Sequence, residues 1–179
     1  MSTNHNILIA GFGGQGVLFA GKVIAYGGLI DEKEVSWMPS YGPEMRGGTA
    51  NCSVCISDKS IGSPLVVTPG VFIAMNLPSF EKFINTVEPG GIVIVESALI
   101  NKKVERDDVK TFYIPGSKLA EDNGLKGLSN IILVGKLFKE LKFCSKDALV
   151  KAIEKSVPRN KEHLLKSNNK AIEIGMNYD

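Results

Sequence analysis

The chain has 179 residues, 44% of them hydrophobic and 22% charged, with a formal net charge of +2. That is enough apolar material for one buried core, read as a single domain over residues 1–179, and too small a charge imbalance to make nucleic acid a natural partner. No apolar run reaches the roughly 18 residues that cross a bilayer, no basic segment precedes the first apolar run as in a secretion signal, and three cysteines leave one unpaired. The expectation is a cytoplasmic protein, off the membrane and without a disulfide framework.

Asn6 to Ala10 reads as a short buried strand of the parallel kind. The run Gly11-Phe12-Gly13-Gly14-Gln15-Gly16 follows. A helix is then predicted over Val17 to Ile30, where Val17, Gly21, Ile24 and Gly28 recur at helical spacing, as do Leu18, Ala25 and Leu29. Glu34 to Met38 is a second strand, stopped by Pro39. Thr49 to Ser57 is strand-like, Asp58 to Ser63 a turn, and Gly70 to Met75 another buried strand. Pro78 opens a helix whose apolar face is Phe80, Phe83, Ile84 and Val87, and Glu88 to Gly91 breaks it. Ile92 to Glu96 and Lys110 to Pro115 complete the strands.

The last third is helical in pattern. Ser129 caps a helix running to Phe143, with Ile132, Leu133, Leu137 and Leu141 on one face. Ser145 caps the next, along Leu149, Ile153 and Val157, and Pro158 ends it. Asn160 to Met176 forms the final helix. Strands alternating with helices, and a glycine turn after the first strand, predict an α/β domain with a mostly parallel sheet.

Gly11, Gly13 and Gly16 satisfy G-x-G-x-x-G between a strand and a helix. Glycines there let backbone N–H groups approach a ligand, and the helix amino end favours an anion. Close strand–helix packing is the other reading. A dinucleotide site also wants an acid at the end of the second strand, but that strand ends in Ser36-Trp37-Met38-Pro39-Ser40. Neither Lys-Ser nor Lys-Thr closes the glycine run, so it is not a P-loop. The turn binds something other than a dinucleotide, or only packs.

Cys52 and Cys55 sit three apart in a strand and so face opposite sides; buried small hydrophobes are favoured over a metal or redox pair. There is no second cysteine pair for zinc and no four-cysteine run for an iron–sulfur cluster. His5 is expected exposed at the start of the chain, and His163 on a helix surface. The residues do not assemble a complete catalytic set. Between the second and third strands, Arg46 followed by Gly47-Gly48 suits anion or carboxylate contact, and Trp37, Met38, Pro39 and Tyr41 supply apolar area of the kind found at interfaces. A long loop whose aromatics fold back into the core is the alternative.

Gly11 to Ala25 (GFGGQGVLFAGKVIA) and Val35 to Ser57 (VSWMPSYGPEMRGGTANCSVCIS) closely resemble the gamma subunit of 2-oxoacid:ferredoxin oxidoreductases, as do Gly127 to Gly135 and Lys161 to Gly175. The S-Y-G-P-E-M-R-G-G-T-A-N-C run is most similar to the 2-oxoglutarate type, then to branched-chain types. The resemblance implies a Rossmann-like three-layer unit within a complex that oxidatively decarboxylates a 2-oxoacid, transfers the acyl group to coenzyme A and reduces ferredoxin. It implies alpha and beta, and in some cases delta, subunits as partners, with thiamine diphosphate and the iron–sulfur clusters bound mainly by them. It further implies that Gly11, Gly13, Gly14, Gln15 and Gly16 form one loop facing the assembled site, and Arg46, Gly47, Gly48, Thr49 and Asn51 a second, with Arg46 on a coenzyme A phosphate or a partner's acid. Asn130 is a further candidate, as a cap or polar contact. The competing functions are a free-standing nucleotide-binding oxidoreductase and a purely structural subunit.

Overall fold

The computed structural model describes residues 4–41, the last by its backbone alone, and 49–179. Arg46, Gly47 and Gly48 lie outside the described residues. Six strands form one sheet in the order β2-β3-β1-β4-β5-β6: β1 (Asn4–Phe12), β2 (Glu34–Tyr41), β3 (Thr49–Ser57), β4 (Val71–Ala74), β5 (Ile92–Glu96) and β6 (Lys110–Ile114). β1, β4, β5 and β6 pair in parallel, while β3 runs antiparallel to both β1 and β2. Five strands therefore point one way and β3 alone runs against them.

Alternation along each strand explains why these segments read as nearly continuous apolar runs. Ile7, Ile9, Ile73 and Ile94 face one side, in a cluster with α1 (Val17–Ile30), α4 (Ser129–Leu141), α5 (Lys146–Ser156) and α6 (Leu164–Asn177). Leu8, Ala10, Phe72 and Val93 face the other, against Phe80 of α2 (Leu77–Phe83) and Ile84 of the 3₁₀ turn that follows. Both faces are covered, so both must be apolar, and the result is three layers. On the first side α1 and α4 lie on the sheet, while α5 packs on α1 and α6 on α4. The α4–α6 crossing is close enough that a Cβ on Gly175 would collide with the Ile132 carbonyl, and one on Gly135 with the Ile172 carbonyl.

Four expectations change. β2 runs through Pro39, which sits opposite Cys52; β2 is the edge strand, and there a residue without an N–H breaks no ladder on the open side. β1 extends past Ala10 to Phe12, so Gly11 belongs to the strand. Ser129 is the first residue of α4 and not its cap; Leu128 takes that place with no side-chain hydrogen bond, and the helix closes on Lys142 in the left-handed region. Residues 159–161 form a separate 3₁₀ turn, so α6 begins only at Leu164. A short helix, α3 (Gly116–Asp122), went unpredicted because its seven residues are too few to show a period. Ser145 does cap α5: its hydroxyl accepts from the Ala148 N–H at 3.2 Å and donates to the Asp31 carboxylate at 2.8 Å.

Candidate functional site

The carboxyl ends of the parallel strands gather the candidate residues. Chain connections leave β1 toward β2 and β3 on one side and continue to β4, β5 and β6 on the other, so the topological switch lies between β1 and β4. Ligands of open α/β sheets bind at that point. Pairing of the two strands extends to Met75, whose N–H donates to the Ala10 carbonyl at 2.8 Å.

The turn leaving β1 is held by side chains. The Gln15 carboxamide oxygen accepts from the Phe12 N–H at 2.6 Å, and its nitrogen donates to the Met75 carbonyl at 3.0 Å. Gln15 thus ties the end of β1 to the end of β4. Gly16 is the amino cap of α1 with φ of 74°, and Gly14 has φ of 96°, values that an L side chain adopts only with strain. The Gly16 carbonyl accepts from the Ala20 N–H within α1 and from the Asn130 amide at 3.0 Å. A Cβ at Gly16 would run into that amide. Asn130, 3% exposed, reaches this carbonyl from the first turn of α4.

A cleft of about 620 Å³ opens beside the turn, lined among others by Gly14, Gln15, Ser117, Glu121, Lys126 and Ser129. Neither α1 nor α4 has a side-chain cap on its first turn, so each presents unsatisfied N–H groups and the positive end of its dipole. Lys126 adds a cation and Glu121 the acid of the lining. The amino end of α3 is different, because Glu96 already occupies it: this fully buried carboxylate at the end of β5 accepts from the Ser117 N–H at 2.8 Å, the Ser117 hydroxyl at 3.1 Å and the Ala98 N–H at 3.1 Å. Burial pushes its pKa up, and the hydrogen bonds only partly oppose that.

Of the predicted residues, the structure brings Gly11, Gly13, Gly14, Gln15, Gly16 and Asn130 together around this turn. Thr49 and Asn51 begin β3 opposite Phe12 and Ala10, beside the turn but not lining the cleft. Cys52 and Cys55 point to opposite faces, toward the Val17 and Ser63 carbonyls, and burial pushes the Cys52 thiol up to about 12. His5 is not exposed: it lies half-buried in β1, and desolvation lowers its pKa while Asp58 opposes the shift. His163 is exposed. Among the described residues, no group of three His, Cys, Asp or Glu side chains could hold a metal ion.

Sequence reasoning missed Glu96, Ser117 and Asn76. Asn76 follows β4 and caps α2 by accepting from the Ser79 N–H at 2.8 Å. Its signal was present as an asparagine two residues before a proline. For Glu96 the signal was a lone charge ending an apolar strand. Chemically, the described lining offers backbone N–H groups, Lys126 and Glu121, braced by the Gln15 and Asn130 amides, an arrangement suited to holding a polar or anionic ligand.

The family model described as pyruvate ferredoxin/flavodoxin oxidoreductase matches residues 6–178. The chain is 35% identical over 159 residues to the 2-oxoglutarate synthase subunit KorC of Methanocaldococcus jannaschii, a match covering 87% of this chain and 85% of that one. It is 39% identical over 129 residues to the ketoisovalerate oxidoreductase subunit VorA of Methanothermobacter marburgensis; 72% of this chain is matched, and it spans only 27% of VorA. The keto/oxoacid ferredoxin oxidoreductase gamma subunit of Geobacter sulfurreducens superposes with a TM-score of 0.82 at 28% identity, covering 96% of each chain. The 2-oxoglutarate:ferredoxin oxidoreductase of Magnetococcus marinus, solved with 2-oxoglutarate, coenzyme A and succinyl-CoA bound, shares the fold: its TM-score is 0.86 at 24% identity, over 96% of this chain and 30% of that one.

Proposed function

The chain belongs to the pyruvate ferredoxin/flavodoxin oxidoreductase family, and we propose that it is the gamma subunit of a 2-oxoacid:ferredoxin oxidoreductase of the 2-oxoglutarate type. In this reading residues 1–179 act as one gamma-type domain in the cytoplasm. The complex decarboxylates 2-oxoglutarate or a related 2-oxoacid, passes the acyl group to coenzyme A and the electrons to ferredoxin. Thiamine diphosphate and the iron–sulfur clusters belong to alpha, beta and, where present, delta subunits. That assignment suits a chain whose cysteines Cys52, Cys55 and Cys144 are each buried, with no four-cysteine set to ligate a cluster.

The cleft at the carboxyl edge is then the coenzyme A side of the assembled site. The observation that carries this is a single opening lined by Gly14 and Gln15 of the turn leading into α1, by Ser129 at the uncapped start of α4, and by Lys126. Coenzyme A is polyanionic along one half and rich in amides along the other, and both kinds of group find partners there. Gly14 and Gly16 supply backbone, Gln15 and Asn130 hold that backbone still, and Arg46, Gly47 and Gly48, with Thr49 and Asn51 at the start of β3, are the further residues assigned to ligand contact in this reading.

Steady-state kinetics of the complex with Lys126→Ala and Arg46→Ala test the reading. Losing one charge-assisted phosphate contact costs about 1.4 kcal/mol, a KM for coenzyme A raised about tenfold, with kcat and the KM for the 2-oxoacid near wild type. Unchanged constants in both variants would confine the chain to a structural role. Micromolar binding of NAD(H) or NADP(H) to the isolated chain would instead favour a free-standing nucleotide-binding oxidoreductase.

A further inference from the structure

α1 has little polar surface for a helix at the outside of a domain. One of its 14 residues, Lys22, is charged. Leu18, Lys22, Tyr26 and Leu29, spaced at helical intervals, are its part-exposed stripe, and Leu29 is 49% exposed. A helix that is apolar on all sides belongs in an interior. Alongside runs β2, the outermost strand, with Trp37 39% and Met38 41% exposed on its two faces and Glu34 as its one charge. Among the described residues this edge carries large apolar side chains on both faces and no lysine; Pro39 blunts it locally by withholding an N–H, which leaves the stretch before it as the part open to pairing.

Helix and strand enclose a groove of about 210 Å³ lined by Lys22, Ala25, Tyr26, Leu29, Val35 and Trp37. Its floor is apolar and aromatic, and its rim is cationic. The Lys155 ammonium of α5 stands 4.8 Å from the Tyr26 ring centre and that of Lys22 5.6 Å from it. No acid lines it. A two-fold pairing of copies through this groove would bring one cationic rim against another, because an isologous interface meets itself. The complementary occupant carries an apolar anchor flanked by carboxylates.

We infer that this groove, with the adjoining edge of β2, receives an extended, acidic-flanked segment of a companion subunit. Its apolar anchor lies on Trp37 and Leu29, its carboxylates face Lys22 and Lys155, and its backbone adds to the open edge. The inference rests on the reading of the chain as one subunit of a complex.

Trp37 is the chain's one tryptophan, so 5-fluorotryptophan places a single ¹⁹F reporter in the groove. The labelled full chain is assembled with unlabelled companion subunits and its resonance compared with that of the free chain. The expected result is a shifted resonance that loses its response to exchange of H₂O for D₂O. In the same assembly, Lys22→Glu with Lys155→Glu weakens retention of the chain about tenfold at low salt and less at high salt. Leu29→Asp weakens it at both, with the far-UV circular dichroism of each free variant unchanged. An assembled complex whose Trp37 resonance and solvent response match the free chain overturns the inference while leaving the proposed function intact. A concentration-dependent shift in the chain alone overturns it in favour of a second copy. Failure of the wild-type chain to enter a complex overturns both.

Discussion

The α4–α6 crossing and the β1–α1 turn both bring segments close to a neighbour's backbone, and they are held in opposite ways. At the crossing nothing is added: Gly135 and Gly175 let one helix lie against the carbonyls of the other. At the turn polar side chains do the holding, Gln15 toward Phe12 and Met75, and Asn130 from 114 positions away toward Gly16. A contact made by omission is intolerant of volume, because the atoms in the way are backbone. At the turn the atoms that a Cβ on Gly11 or Gly16 would meet are side-chain atoms, the Gln15 and Asn130 amides among them, and the contact fails when a donor or acceptor is lost. The first secures the helical half, and the second shapes the cleft.

The sharpest way to break that contrast is to add volume at the crossing. In Gly175→Val the new side chain meets the Ile132 carbonyl and the Lys136 N–H, neither of which can turn aside without dismantling α4. The expected cost is about 4 kcal/mol or more, at the upper end for overpacking, which for a chain of this size lowers Tm by roughly 10 °C. Thermal unfolding followed by circular dichroism measures it. A drop of only a degree or two would mean that the helices slide apart freely, and the distinction drawn here would fail.

The polar side of the contrast is tested by Gln15→Leu, which keeps the volume and removes both hydrogen bonds. The Phe12 N–H loses its acceptor and the Met75 carbonyl a donor. The expected cost is about 1–3 kcal/mol, with amide exchange quickened at Phe12 and unchanged along α4 and α6. If exchange quickened equally in the helical half, the turn and the crossing would be one cooperative unit rather than two.

The same contrast explains what could be seen in the sequence. Buried strands such as Ile92–Glu96 were legible because burial on both faces leaves a continuous apolar run, and α5 because Ser145 does cap it through the Ala148 N–H. Strand order was not legible, since pairing at a distance leaves no local period. Pro39 misled because proline ends a strand only where a neighbour needs its N–H, and nothing local marks an edge. At the site, the glycines announced the turn, but Asn130 and Glu96 act across the fold, and their partners became visible only when α4 and α3 were brought to the ends of β1 and β5.

The smallest expected effect concerns Glu96, which joins the two styles: a polar brace inside a dry interior. Among the described residues its carboxylate has no cationic partner; it is held by the N–H groups of Ala98 and Ser117 and by the Ser117 hydroxyl. Because burial raises its pKa in the folded state, folded protein holds this proton more tightly than the unfolded chain does. The resulting stabilisation is fully present below the ordinary glutamate pKa of about 4.3 and is lost as pH rises through the raised folded value. Glu96→Gln removes that titration. It also leaves either Ser117 or Ala98 facing an amide N–H in place of an acceptor, a cost of about 1 kcal/mol that relief of the buried charge offsets progressively at higher pH. Chemical denaturation from pH 4 upward should therefore show the wild-type advantage over the variant shrinking as pH rises. An advantage that instead grew with pH would mean that the hydrogen bonds outweigh burial and that the carboxylate is ionised throughout.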